Sequence, residues 1–393
     1  MTWTPIIERA RVAPVLAEIA AAVDAHPREH HSDLVDYAVF RSYLDADGAV
    51  PDPDDRAGEA LIAAIELLAQ AGGTPSLYGG AARIGWTVSH HASGEDADAA
   101  CKAIDEVLVR QLGDWTRDYD LISGLVGFGV YALERGDAGA PLASAVVGGL
   151  EAYVARDWLT APELLPAHQR ESAPEGYVNL GLAHGIPGVI AVLAQFCNRG
   201  FEPERSRAVL DSALRRLLDG SPARARGRFV AWQPADHEPS TRLAWCYGDL
   251  GVAAALLGAG IALDHDEARR EGLAIALDCA GRTLPQAFIS DAGICHGAAG
   301  IAHLFNRMAQ ATGEPALREA AVTWIDHTLA MRSGLPLAGF PANMPDDDGK
   351  RKMVPDASLL TGAGGVALVL HAASSEIEPA WDRLLLVEMP TRS

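Results

Sequence analysis

The residues of this chain best suited to chemistry are Cys246, Cys295 and His296. The first lies in Ala244-Trp245-Cys246-Tyr247-Gly248-Asp249-Leu250-Gly251, the other two in Ile294-Cys295-His296-Gly297-Ala298-Ala299-Gly300. Each stretch sets soft ligand residues just before glycines and alanines that read as a helix start. Two thiolates and one imidazole suit Zn²⁺, and three protein ligands leave the fourth tetrahedral position free, as in a catalytic rather than a structural site. Two thiolates cancel the charge of the metal, so the centre is neutral. A third, substrate-derived thiolate makes it an anion, and that sulfur keeps much of its nucleophilicity while bound. The site suits activation of a thiol better than polarisation of a carbonyl. A lone cysteine is ordinarily a small buried hydrophobe; two matching turns, one holding Cys-His, set this pair apart.

The elements that must position these residues are helices. Ala60–Gln70 is rich in Ala and Leu at helical spacing, and similar patterns run through Ala99–Leu112, Ala143–Ala155, Glu204–Leu218, Ala268–Leu284 and Ala316–Met331. Between them lies a repeated turn: Ser76-Leu77-Tyr78-Gly79-Gly80, Leu121-Ile122-Ser123-Gly124, Leu182-Ala183-His184-Gly185-Ile186-Pro187-Gly188, the two cysteine turns, and Leu359-Leu360-Thr361-Gly362. The first glycines of these turns, at 79, 124, 185, 248, 297 and 362, are 45, 61, 63, 49 and 65 residues apart. Each gap holds a helix out and a helix back, the period of an array of helical hairpins that cannot bury its faces singly. The helix after each turn is apolar nearly all round and is expected to be inner; the more charged alternate helices form an outer layer. Closed on itself, the array is an all-α α/α toroid whose inner-helix N-termini converge on one end. A single G-x-x-G is a weak signal; six in phase with helical pairs are not.

Three excursions interrupt the hairpins. Pro162–Tyr177 reads as a loop. Ser221–Arg242 reads as a short strand-bearing excursion, and any strand is expected mainly there. Leu335–Pro355 is the third, and its Asp346-Asp347-Asp348 run reads as a solvated turn rather than a diphosphate–Mg²⁺ site. No clean boundary divides the 393 residues, which are expected to form one domain. The net charge of −20 argues against a nucleic-acid partner and allows a basic peptide. Five cysteines without a disulfide-like spacing fit a reducing compartment. With no signal core at the N-terminus and no apolar run of spanning length, the reading is a soluble cytoplasmic protein.

The set Trp-Cys-Tyr-Gly, Cys-His-Gly, the earlier His-Gly-Ile-Pro-Gly and the repeated glycine turns resembles the lanthipeptide cyclase (LanC) family, from about Ser76 to Leu370. The resemblance implies a zinc-containing toroid with seven inner and seven outer helices. Six turns mark six inner helices, and the unmarked one is expected near Ala60–Gln70. The implied activity is Michael-type addition of a peptide cysteine thiol to dehydroalanine or dehydrobutyrine, giving thioether rings. The implied partners are a dehydrated precursor peptide, leader plus core, and a separate dehydratase and exporter. No dehydratase-like region precedes the toroid, so a stand-alone cyclase is expected.

The resemblance makes Cys246, Cys295 and His296 the zinc ligands and His184 the acid/base residue. It also matches Asp120, Arg242 and Tyr247 to family positions. Michael addition needs a thiolate and then a proton for the α-carbon of the enolate; a metal supplies the first and a histidine can supply the second. His184 could instead be a helix-terminal residue satisfied by backbone. Asp120 could orient His184, bind substrate or simply cap a helix. Arg242 could stabilise the enolate oxygen or pair with a carboxylate as scaffold. His303, His327, His371, the His90-His91 pair, Cys101, Cys197 and Cys279 read as surface or packing residues. Arg83 departs from the small residue usual at its place in the first turn, which leaves the packing there open.

Three other readings compete with this one. A zinc prenyltransferase needs an aromatic-lined cavity, and aromatics are only 6% of this chain. A Cys₂His alcohol dehydrogenase needs a G-x-G-x-x-G after a strand, which does not occur. A LanC-like protein that binds glutathione or acts as a scaffold would keep the zinc without cyclising anything; turnover of a dehydrated peptide separates it from the enzyme.

Overall fold

The computed structural model describes residues 3–165, 167–219, 228–233, 241–346 and 350–389. Among these, fourteen helices of ten or more residues form two concentric rings. The inner ring is α2 (His31–Asp45), α4 (Ala81–His91), α6 (Leu125–Glu134), α8 (Ile186–Arg199), α10 (Asp249–Ala262), α12 (Ala298–Thr312) and α14 (Ala363–Ser374). Each packs on the next, and α14 packs on α2, which closes the ring. The outer ring is α1 (Ala13–Asp24), α3 (Arg56–Ala71), α5 (Glu95–Leu112), α7 (Ala140–Val154), α9 (Pro203–Asp219), α11 (Asp266–Ala280) and α13 (Pro315–Ala330). Each outer helix leans on the inner helix before it, and α1 leans on α14.

The pattern of apolar residues decides which ring a helix joins. Every residue of α14 is buried, and so is most of α8, α10 and α12. In α9 the buried residues are Ser206, Val209, Leu210, Ala213, Leu214 and Leu217, a single stripe at three- and four-residue spacing. The sequence expectation of an inner helix near Ala60–Gln70 is wrong. That segment belongs to α3, which buries only Ala60, Leu61 and Ala64 and lies outside. The seventh inner helix is α2, hidden from a composition reading because it carries Asp36, Tyr37, Arg41 and Tyr43 and no glycine turn precedes it. Its polar groups find partners inside: Arg41 pairs with Asp52 at 3.2 Å, and the Tyr43 hydroxyl lies 2.8 Å from Nε2 of His90.

Two further expectations need correction. The helix expected over Ala268–Leu284 ends at Ala280, and Leu284–Ala287 is a separate turn with Pro285 near its start and a Thr283–Gln286 capping box. Among the described residues, strand is not mainly in Ser221–Arg242. Of that excursion β2 (Trp232–Gln233) pairs antiparallel with β1 (Val178–Asn179), whereas 220–227 and 234–240 lie outside the described residues. The longer hairpin, β3 (Ala342–Pro345) with β4 (Arg351–Val354), sits in the third excursion. Met344 and Lys352 face each other across it, an alternation too short and too polar to read as strand. Asp346 stands at its turn, bonded to the Lys350 amide at 2.8 Å, while Asp347 and Asp348 lie outside the described residues. The Pro162–Tyr177 loop holds two single helical turns, Pro162–Leu164 and Ala167–Arg170. No helix among the described residues is long and apolar enough to cross a membrane.

The six glycine turns all lie at one end of the ring, and backbone hydrogen bonds string them together. Tyr78 N donates to Ile122 O (3.0 Å), Leu121 N to Ala183 O (3.0 Å), Ala183 N to Cys246 O (3.3 Å), Cys246 N to Cys295 O (3.2 Å) and Cys295 N to Leu360 O (2.8 Å). The turnless helix α2 completes the circuit through one carboxylate. Asp36 Oδ2 accepts from Leu359 N at 2.9 Å in the sixth turn, and Oδ1 accepts from Arg83 Nη2 at 2.6 Å just after the first. Arg83 therefore occupies the position that is glycine in the other five turns because it must reach the helix that has no turn of its own. Its guanidinium is buried, with Asp36 as its ion-pair partner and the Tyr78 and Trp86 rings within 6 Å. Asp36→Ala strips a buried cation of its partner and is expected to cost about 3 kcal/mol or more in chemical unfolding. Asp36→Ala/Arg83→Met should cost less than Asp36→Ala alone; a strictly additive pair would contradict the closing role.

Candidate functional site

The turns share one construction, which fixes where their side chains point. A glycine caps each following inner helix: Gly80, Gly124, Gly185, Gly248, Gly297 and Gly362. Each packs against the backbone of the residue six positions earlier. At Gly248, with φ 100°, a Cβ would overlap the Arg242 carbonyl, so only glycine fits. Position one before the cap is His184, Tyr247 and His296 in the third to fifth turns, and position two before is Ala183, Cys246 and Cys295. Equivalent positions of neighbouring turns are bridged by the backbone bonds above, so these side chains meet.

The candidate ligand atoms of Cys246, Cys295 and His296 lie within 4.8 Å of one another. The Cys295 thiol donates a hydrogen bond to the Cys246 sulfur, which holds Cys246 well below the ordinary thiol range against its burial; His296 and the Arg242 charge add to this. Cys295 is driven up in return by the same bond and by burial. Two sulfurs sharing one proton are a thiol–thiolate pair poised for a soft cation. His296 Nε2 is buried without a hydrogen-bond partner, and the Asp291 carboxylate lies 3.7 Å from it. Asp291 is itself held by the amides of Gly293 (3.2 Å) and Asn343 (3.0 Å). A carboxylate beside a ligand histidine orients the ring of a metal site. The donor set, its orphaned nitrogen and this carboxylate fit Zn²⁺.

His184 stands in the next turn. Its Nδ1–H donates to Asp120 Oδ2 at 2.9 Å, so Nε2 faces the open side, and the side chain is about one-third exposed. Burial works against the imidazolium, but the Asp120 bond and charge, then the Cys246 and Asp118 charges, outweigh it and hold His184 above the ordinary imidazole value. Asp120 holds two partners at once: Oδ2 takes His184, and Oδ1 accepts from the Ser123 amide at 2.8 Å within the turn, while the helix after it is capped by Gly124 and not by Asp120. Tyr247 bridges the two groups, following Cys246 in the chain and stacking on the His184 ring at 5.4 Å. Its hydroxyl accepts from Asn179 Nδ2 at 3.3 Å, and burial raises its pKa far above neutrality, so it stays protonated. The charge of Arg242 acts on both sulfurs, lowering each.

Asn179, Asp291 and Asp118 escaped the sequence reading. Each stands six before a cap glycine, as does Arg242, and that place is polar in all six turns: Thr74, Asp118, Asn179, Arg242, Asp291 and Asp356. Counting six back from the glycine of each turn is the signal that could have found them. Burial and the Asp120 charge push Asp118 up to about 6. His303, His371 and His90 are packing residues. His303 pairs with Asp382 at 2.6 Å, His371 with Asp47 at 3.1 Å and His90 with Glu134 at 2.8 Å. Cys101 and Cys279 are buried away from the site, and Cys197 is part-buried on the edge of α8.

Residues 38–386 match the family described as lanthionine synthetase C-like protein. The chain belongs to that family. It is 26% identical over 276 residues to the nisin biosynthesis protein NisC of Lactococcus lactis subsp. lactis, an alignment covering 60% of this chain and 63% of NisC. The chain thus matches less than two thirds of that relative's length. A solved structure of nisin cyclase superimposes with a TM-score of 0.74 at 19% identity, covering 96% of this chain and 97% of that one. The likeness carries the α/α toroid fold. In this lanthionine synthetase C-like chain, Asp120→Asn removes the charge that outweighs burial at His184. The imidazole should then lose its proton at lower pH, which an NMR titration of His184 reads directly; an unmoved titration would break the link between the two.

Proposed function

We propose that this chain is a zinc-dependent lanthipeptide cyclase. It would join a cysteine thiol of a dehydrated precursor peptide to a dehydroalanine or dehydrobutyrine of the same peptide. The observation that carries the reading is the proximity of two chemistries in adjacent turns: a Cys₂His cluster within 4.8 Å and a carboxylate-oriented histidine stacked on the tyrosine that follows Cys246. Cys246, Cys295 and His296 would hold the ion. Zn²⁺, when bound, lowers the pKa of an incoming thiol and presents it as a nucleophile at neutral pH.

The remaining steps belong to the chain's own side chains. The substrate S–H proton leaves to His184 Nε2, the sulfur bonds to the β-carbon, and the α-carbon of the enolate takes a proton back. No group departs, so atoms balance with one proton in and one out. Neutral His184 takes the thiol proton on Nε2, and the Asp120 bond and charge that favour its imidazolium hold that proton until the enolate carbon takes it. Arg242, whose charge acts on both sulfurs, is a fixed cation for the enolate oxygen. Tyr247 keeps the His184 ring flat against it and so fixes the direction of Nε2. The whole described domain, with its precursor peptide and a separate dehydratase upstream, fits a dedicated ring-closing step.

The purified protein is expected to hold one Zn²⁺ per chain, and Cys295→Ala or Cys246→Ala to lose metal and ring closure together. His184→Ala should keep its zinc and lose closure by roughly 10²–10⁴-fold, the range for removing a general acid/base. Mass spectrometry of a dehydrated precursor, with an alkylating reagent counting unclosed cysteines, reads both. Zinc loss in His184→Ala would make it a ligand, and a wild-type closure rate would make it a cap.

A further inference from the structure

Beyond α14 the chain turns back into the ring. Ala380–Leu385 forms a 3₁₀ helix, Leu386 follows at φ 55°, and Trp381, Leu384, Leu385 and Val387 are fully buried. The segment touches inner helices on every side. Asp382 pairs with His303 (2.6 Å) and Arg307 (2.5 Å) of α12, and the Trp381 ring stacks on His303 at 4.7 Å. The Trp381 amide meets Tyr43 of α2, and Arg383 reaches Glu134 of α6 at 3.5 Å. Glu388 O accepts from Gln195 of α8 at 3.4 Å, and Met389 lies against Gly258 of α10. A segment in contact with five helices spaced round a ring lies on its axis. Ala380–Met389 is a plug in the toroid.

The plug ends against the turns. Leu384 O accepts from the Tyr78 hydroxyl of the first turn at 2.9 Å, and Leu385 O accepts from the Trp245 indole N–H of the fourth at 2.9 Å. Trp245 is the residue directly before Cys246 and is buried. We infer that Trp245 is a positioning residue of the metal centre, anchored from inside the ring by the Leu385 carbonyl of the C-terminal plug. This rests on the reading of Cys246 as a ligand. The bond joins two groups that water does not reach, so its loss leaves a buried carbonyl unpaired. Relief comes by rotating the Trp245–Cys246 peptide, which carries Sγ with it. A centre with three protein ligands tolerates little such displacement, and loss of a supporting bond around metal ligands typically weakens binding about 10–100-fold.

Trp381 supplies the matched control. It lies buried in the same plug, yet its indole nitrogen has no hydrogen-bond partner. On the zinc-loaded full chain, competition with a chelating dye should show zinc bound at least about 10-fold more weakly by Trp245→Phe than by wild type. Cyclisation by that variant should show lower kcat with KM unchanged. Trp381→Phe should match wild type in both. Trp245→His, which keeps a ring N–H, should recover part of the zinc affinity, and it stands in if Trp245→Phe does not fold. Wild-type zinc affinity in Trp245→Phe overturns the inference, and so does an equal loss in Trp381→Phe, which would mean core filling. A wild-type protein that takes up no zinc overturns the reading beneath it instead, and the same assay reports that first.

Discussion

The structure depends on a circuit of backbone hydrogen bonds across the N-terminal ends of the inner helices. Each bond ties a residue just ahead of one helix to its counterpart ahead of the next. Such bonds are indifferent to side chains, so the same turn can be repeated while the residues before its glycine vary. In two neighbouring turns those residues are Cys246 and Cys295; one turn back the place is Ala183. The chemistry is grafted onto a scaffold feature and did not have to be built separately. It also explains why the sulfurs come together although their cap glycines, Gly248 and Gly297, are 49 positions apart.

The same circuit accounts for the exceptions. Seven helices need seven links, and only six turns exist, so the seventh helix is joined by the Asp36 carboxylate and Arg83. A buried ion pair is a costly substitute for a backbone bond. Here it serves two neighbours at once, one through each oxygen. The axis of the ring is closed by the C-terminal plug, whose carbonyls are reached by Tyr78 and Trp245 from above. The reacting end is therefore supported from the sides by backbone and from below by the plug.

Much of this was legible in the sequence, for definite reasons. Glycine before an all-apolar helix leaves a pattern that composition cannot hide, so the six marked inner helices and five of their outer partners, α5, α7, α9, α11 and α13, could be read. Cys246, Cys295 and His296 were legible because soft ligands are rare and repeat at the same offset. His184 was legible because it shares the offset of His296. Helix α2 was not, because Asp36, Arg41 and Tyr43 interrupt its buried apolar residues and no glycine turn precedes it. Arg83 looked like a flaw because its partner is 47 residues away. Asn179 and Asp291 were missed because they lie outside the short glycine motif and share with Arg242 only their polarity, not a residue type. The plug carries ordinary apolar residues near the C-terminus, and nothing local tells an axial segment from a surface one.

The central claim is that neighbouring turns present two sulfurs and one imidazole to a single metal. X-ray absorption at the zinc edge of the metal-loaded protein tests this most directly. The account predicts two sulfur neighbours at about 2.3 Å with nitrogen or oxygen completing four, and one sulfur fewer in Cys295→Ala. A third sulfur should appear when a cysteine-containing dehydrated peptide is added. A shell without sulfur, or one whose sulfur count is the same in Cys295→Ala, would contradict it.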